Sequence, residues 1–203
     1  MILSDYKKEL PSVIYILGSG GSLDLYPENY WKDKFTVGVN KLFKFIDDLD
    51  ALVFADWGLH IQEAIDTYDA DIFISRYNCS LKRKGLNKFS GDAYVYDHLP
   101  NTGISLLADM SLMDNPKDNH VITCGDSICR AIGLFVYLGV KEIRLAGCDG
   151  DNIINGNVNI KGYYDKSIST NATIGHAKRS MKSKAHMIEG LKKYGINIEY
   201  INP

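Results

Sequence analysis

No stretch of the sequence approaches the roughly 18 to 20 consecutive apolar residues needed to cross a bilayer. The opening residues 1–12 hold neither an apolar h-region nor a cleavage-like site. Both absences predict a soluble chain without a secretory leader. Excess charge is missing too: the formal net charge is −2, which gives no electrostatic reason to expect nucleic acid or an anionic membrane as a partner. Cysteine is sparse. Cys79, Cys124, Cys129 and Cys148 make no C-x-x-C pair and no cysteine–histidine finger spacing. Three of them lie in apolar surroundings, where a cysteine usually acts as a small hydrophobe. Structural zinc is therefore not expected, and the compartment reads as reducing, hence cytoplasmic. There is no internal repeat and no low-complexity tract.

What remains is an ordinary globular composition, 45% hydrophobic and 24% charged over 203 residues. That length suits one domain, or one domain with an inserted lid. Short apolar runs alternate with helical patterns. "SVIYIL" (Ser12 to Leu17), "FTVGVN" (Phe35 to Asn40), "DALVFAD" (Asp50 to Asp56) and "DIFIS" (Asp71 to Ser75) read as strands. "WGLHIQEAIDTY" reads as a short helix between the last two. "DSICRAIGLFVYLG" predicts a helix capped by Asp126 or Ser127 and ended by Gly139. "KEIRLAG" (Lys141 to Gly147) gives a central strand. In "KRSMKSKAHMIEGLKKYG" the residues Met181, Ala185, Ile188 and Leu191 form an apolar stripe with lysines opposite, Gly195 closes the helix, and "INIEYIN" is the last strand. The pattern predicts an α/β fold, a Rossmann-like, mostly parallel sheet with helices on both faces, built as a single domain over 1–203. Residues 79–120 are the least periodic and read as an irregular, lid-like insertion or a plain surface connection.

The first strand runs into "LGSGGSLDLYPENY". A dinucleotide fingerprint needs G-x-G-x-x-G and an acidic residue after the second strand. Here Gly18 and Gly20 fit, but Leu23 stands in the third position and Asn40 at the end of the second strand. The phosphate-loop pattern GxxxxGK[ST] is absent as well. Amides of Gly18, Ser19, Gly20, Gly21 and Ser22 can still receive an anion at a helix start, and Asn40 can both donate to and accept from a sugar or base. Such a turn also occurs simply as a tight turn.

A second constellation follows the strand "EIRLAG". Its loop "CDGDNIINGNVNIKGYYDKS" lies where ligands bind in doubly wound sheets. Asp149 and Asp151 do not make a calcium loop, since Ile153 and Ile160 stand at the fifth and twelfth positions. They suit either a Mg²⁺ shared with ligand phosphates or the capping of a turn. Tyr163 and Tyr164 supply phenols that can hydrogen-bond a departing phosphate, or a ring that packs. In "TIGHAKRS", His176 stands just before the amphipathic helix, where an imidazole can take a proton from a hydroxyl near neutral pH or serve only as a surface or capping residue. His60, His98, His120 and His186 have no such context, and His186 reads as a solvated or edge residue.

These motifs together resemble glycosyltransferase family 42, the bacterial sialyltransferases that use CMP-sialic acid. That family opens with a strand and a G-N-G-P-S-L turn, matched by Gly18-Ser19-Gly20-Gly21-Ser22-Leu23. Its second strand ends in a nucleotide-contacting asparagine, as at Asn40. A T-S-G turn precedes its long apolar helix, as Thr123-Cys124-Gly125 does here, and its I-G-H-S-K block is similar to "IGHAK". The resemblance implies His176 as general base, Tyr163 and Tyr164 at the leaving phosphate, and the glycine turn, Asn40, Asp56, Thr123, Cys124, Gly125 and Asp149 around the nucleotide. This chain departs from the family at Ser19, Gly21, Cys124 and Asp56, and an acidic Asp56 would repel a donor phosphate unless a metal or a ribose hydroxyl intervened. A weaker resemblance is to the 6-hydroxymethylpterin diphosphokinase-like family, through its G-x-G-P-S-L turn and a strand ending in Gly-x-Asp, as in Gly147-Cys148-Asp149.

The expected function is an inverting, metal-independent glycosyltransferase. It would take a nucleotide-sugar donor, CMP-linked if the resemblance extends to the donor, and a glycan or small-molecule acceptor. This reading implies no cofactor; the diphosphokinase alternative implies Mg²⁺ on Asp56 and Asp149. A nucleotide-binding module without catalysis is a third reading. Nothing in the sequence excludes a homo-oligomer.

Overall fold

Strands buried on both faces show no polar side, and parallel sheets are built from such strands. The computed structural model describes residues 1–55, 59–76, 92–98, 107–124, 126–148 and 171–203. Within them β1 (Val13–Leu17), β2 (Thr36–Val39), β3 (Ala51–Phe54), β4 (Asp71–Ser75), β5 (Tyr94–Tyr96), β6 (Glu142–Ala146) and β7 (Asn197–Tyr200) form one sheet in the order β5-β4-β3-β2-β1-β6-β7. Every pairing is parallel. The architecture is the expected Rossmann-like α/β fold.

Alternation along each strand feeds two cores. Ile14 and Ile16 of β1, Val37 and Val39 of β2, and Ala51 and Val53 of β3 belong to one. Leu17, Leu52, Phe54, Ile72 and Ile74 belong to the other. Each fully buried aliphatic side chain contributes about 1.5–3 kcal/mol relative to exposure. Helices α1 (Leu59–Thr67), α2 (Ser111–Asp114), α3 (Ser127–Tyr137) and α4 (Asn171–Lys192) complete the layers. Asp126 is the N-cap of α3, accepting from the amide of Cys129, and the chain leaves α3 and α4 through Gly139 (φ 95°) and Gly195 (φ 72°), as expected from the sequence. No helix among the described residues is long and apolar enough to cross a membrane.

Three local expectations change. Within 79–120 the short segment Tyr94–Tyr96 is a strand, with Tyr96 fully buried; at three residues it is too short to register as a period. The N-terminus covers its outer edge: the Val95 amide donates to Met1 O at 2.9 Å, and Ile2 bridges Val95. Second, α4 begins at Asn171, so His176 lies in its second turn rather than ahead of it. The cost of Gly175 inside a helix is only about 1 kcal/mol and does not break it. Third, α4 is rotated from the expected stripe. Ser183, Lys184, Met187, Ile188 and Leu191 are buried, whereas Ala185 is exposed. His186 is exposed, as read.

The N-terminal segment is also pinned from below. Tyr6 is buried against Phe73 and Tyr94, and its hydroxyl donates to Asp71 Oδ2 at 3.0 Å; Lys8 Nζ holds the other oxygen at 2.6 Å. Burial, then the Asp71 charge, push the Tyr6 phenol well above its ordinary pKa. A raised folded pKa gives stability that is complete below the unfolded value of about 10 and is lost as pH rises through the higher folded value. Tyr6→Phe should therefore cost about 1.5 kcal/mol at neutral pH, by urea midpoint. It should also flatten the loss of stability above pH ~10.

Candidate functional site

The sheet reverses direction of build at β1, with β2 to β5 on one side and β6 and β7 on the other. Ligand crevices open beyond the carboxyl ends of the strands at such a switch. In this chain the two turns at the switch are locked together. The Gly18 amide donates to Ala146 O at 2.8 Å and the Gly20 amide to Gly147 O at 2.7 Å. A methyl group on Gly18 would lie 3.0 Å from the carbonyl carbon of Gly147, so a side chain there would push the turns apart. The glycines serve the β1–β6 contact, and two of the five amides expected to receive an anion are engaged by protein carbonyls. The segment that follows, Gly21–Leu25, is a 3₁₀ turn. Leu23, in the place of a third fingerprint glycine, is buried in the second core.

Asn40 stands immediately after β2 with φ 52°. Its Oδ1 accepts from the Ala55 amide at 3.0 Å and its Nδ2 donates to Ser127 Oγ at 2.9 Å. One side chain thus joins the ends of β2 and β3 to the first residue of α3. Arg130, one turn further along α3, donates from Nη1 to Ala55 O, while its Nε is buried without a hydrogen-bond partner among the described residues. The start of α3 is held over the carboxyl ends of β2 and β3, and a helix N-terminus there favours negative charge.

The approach to α3 comes from residues 121–124. Gly133 lets this segment lie against the helix, since a Cβ there would be 2.8 Å from the Ile122 carbonyl carbon. Thr123 is 7% exposed, and its Oγ1 is buried with no hydrogen-bond partner among the described residues. Buried hydroxyls are nearly always satisfied, so an orphan calls for a reason. Cys124 and Cys129 are fully buried and joined as a disulfide, with Cα atoms 5.6 Å apart. Both lie in the apolar core, as expected from the sequence, and five residues of separation bring the approach and the first turn of α3 side by side. Cys148 stays outside the disulfide as a half-buried thiol.

Lys184 of α4 faces the N-cap of α3. Its side chain is 7% exposed, and Nζ lies 3.8 Å from Asp126 Oδ2. Burial works to lower its pKa, but the Asp126 charge, then Cys148 and Tyr200, raise it, and the net is above the ordinary lysine value. The amine is an ammonium at neutral pH. Among the described residues, Lys184 and Arg130 thus stand at the first turns of α3, one facing its N-cap and the other the end of β3. Sequence reasoning missed both cations. A stripe drawn one residue earlier on α4 would have found Lys184.

Of the expected site residues, Gly18, Ser19, Gly20, Gly21, Ser22, Asn40, Thr123 and Cys124 gather at the carboxyl end of the sheet. Asp56, Gly125, Asp149, Tyr163 and Tyr164 lie outside the described residues, as do Asp151 and the side chain of His176. Among the described residues no group of three or more His, Cys, Asp or Glu is arranged to hold a metal. No family model matches the chain, and neither a curated protein nor a solved structure matches it.

The Asn40 clamp is testable by stability. Asn40→Ala loses both hydrogen bonds and leaves alanine at a left-handed φ, for an expected loss of about 2–4 kcal/mol. Asn40→Gly removes the backbone part and should recover about 1 kcal/mol of it. Equal urea midpoints for the two variants would mean that the left-handed backbone carries no cost there.

Proposed function

We propose that this protein is an inverting glycosyltransferase that moves a sugar from a nucleotide-activated donor, CMP-linked and sialic-acid-like, to an acceptor hydroxyl. The observation that carries the reading is the buried hydroxyl of Thr123, unpaired among the described residues, on the approach to α3. It stands in a segment where the resemblance expects a nucleotide contact. Cationic side chains at the first turns of α3 add support, because a donor of this class brings a phosphate.

In the proposed reaction Thr123, the turn from Gly18 to Ser22 and Asn40 line the nucleotide. His176 takes the proton of the acceptor hydroxyl as its oxygen bonds the anomeric carbon. The bond from that carbon to the phosphate oxygen breaks in the same step, and Tyr163 and Tyr164 donate hydrogen bonds to the departing phosphate. The nucleotide leaves carrying the electron pair. This chemistry needs no metal.

Thermal-shift titration with CMP, CDP, UDP, GDP and ATP, each with and without Mg²⁺, tests the donor class, because a ligand of the native state raises the midpoint by mass action. A CMP-selective shift without metal is expected. An ATP shift that requires Mg²⁺ would replace the proposal with diphosphate transfer through Asp56 and Asp149. Nucleotide binding without turnover of any CMP-sugar would leave a binding module. With a donor in hand, His176→Ala should lower kcat by about 10²–10⁴-fold, the usual value of a positioned base; unchanged turnover would remove His176 from the mechanism.

A further inference from the structure

Lys184 is the one ammonium among the buried polar groups of the described residues. It makes no hydrogen bond within them, and its nearest opposite charge among them, Asp126, is 3.8 Å away, beyond hydrogen-bond reach. Taking a charge out of water costs several kcal/mol, and a loose ion pair does not offset that well. Asp126 is also engaged elsewhere, since its Oδ1 accepts the Cys129 amide at 2.6 Å as the N-cap of α3. A cation placed so poorly for stability, facing the N-cap of a helix whose approach carries the buried Thr123 hydroxyl, unpaired among the described residues, suits a ligand that supplies oxygen acceptors and negative charge.

We propose that Lys184 is the phosphate-binding cation of this protein, holding a phosphate group at the N-terminus of α3 together with Thr123. The proposal rests on the donor reading above and adds a residue that reading does not contain. The ammonium, a compact point charge with three donors, exchanges its distant carboxylate for phosphate oxygens at hydrogen-bond distance. Asp126 keeps it protonated while the site is empty. The same carboxylate opposes the incoming anion, so it sets an upper limit on how tightly phosphate binds.

Calorimetric titration of the full chain and two variants with CMP, cytidine and inorganic pyrophosphate separates the outcomes. Lys184→Met keeps most of the buried stem. It should weaken CMP and pyrophosphate by about 10- to 100-fold, one charge-assisted contact, while cytidine is unchanged. Asp126→Asn keeps an N-cap and should strengthen CMP severalfold without altering cytidine, a gain that a purely structural ion pair would not produce. Should Lys184→Met fail to fold, the Asp126→Asn result decides alone. CMP binding unchanged in both variants would overturn the role of Lys184 and leave the donor reading standing. So would a wild-type chain that binds cytidine as tightly as CMP. Binding of pyrophosphate but of neither CMP nor cytidine, lost in Lys184→Met, would keep the phosphate site and remove the CMP donor. A wild-type chain that binds none of the three would remove both.

Discussion

Two backbone turns pressed against each other at the centre of the sheet govern this molecule. The Gly18 and Gly20 amides meet the carbonyls of Ala146 and Gly147, and neither turn has room for a side chain at the contact. That contact draws β1 and β6 together at the point where the sheet changes direction. Gly18 to Ser22 follow β1 at that point, and their placement follows from how closely two glycine turns can approach.

One helix, α3, is held from several sides. Asn40 reaches α3 from β2, Arg130 reaches back from α3 to the end of β3, and Asp126 caps the helix while facing Lys184. These bonds orient the start of α3 over the sheet. A helix start favours negative charge, and among the described residues Lys184 and Arg130 stand near it. Asn40 and the glycines look like ligand-binding residues in sequence yet are first structural. Their bonds hold the turns and the start of α3 in place.

Much of the fold was legible in the chain. The apolar runs of β1 to β4, β6 and β7, the cap at Asp126 and the helix ends at Gly139 and Gly195 can be read because each depends on neighbours a few residues away. Tyr94–Tyr96 was not, since three residues cannot display a period and its pairing with β4 supplies the order. On α4 the 3.6-residue period was legible but its phase was not. Ala185 and Lys184 differ by about 100° around a helix of 3.6 residues per turn, and composition alone favours burying the alanine.

The sequence by itself determined the α/β alternation, the strand faces and the residue types gathered at one end of the sheet, because these follow from local pattern and from the rule that parallel strands present their carboxyl ends together. Tertiary structure decided which of those residues have partners. Asn40 meets Ser127 across 87 positions and Arg130 meets Ala55 across 75, distances over which no periodicity carries information. The pairing of Cys124 with Cys129, the burial of Lys184 and the unpaired hydroxyl of Thr123 are of the same kind. Each depends on how α3 and α4 settle against the sheet, and that is set by close packing rather than by any one segment.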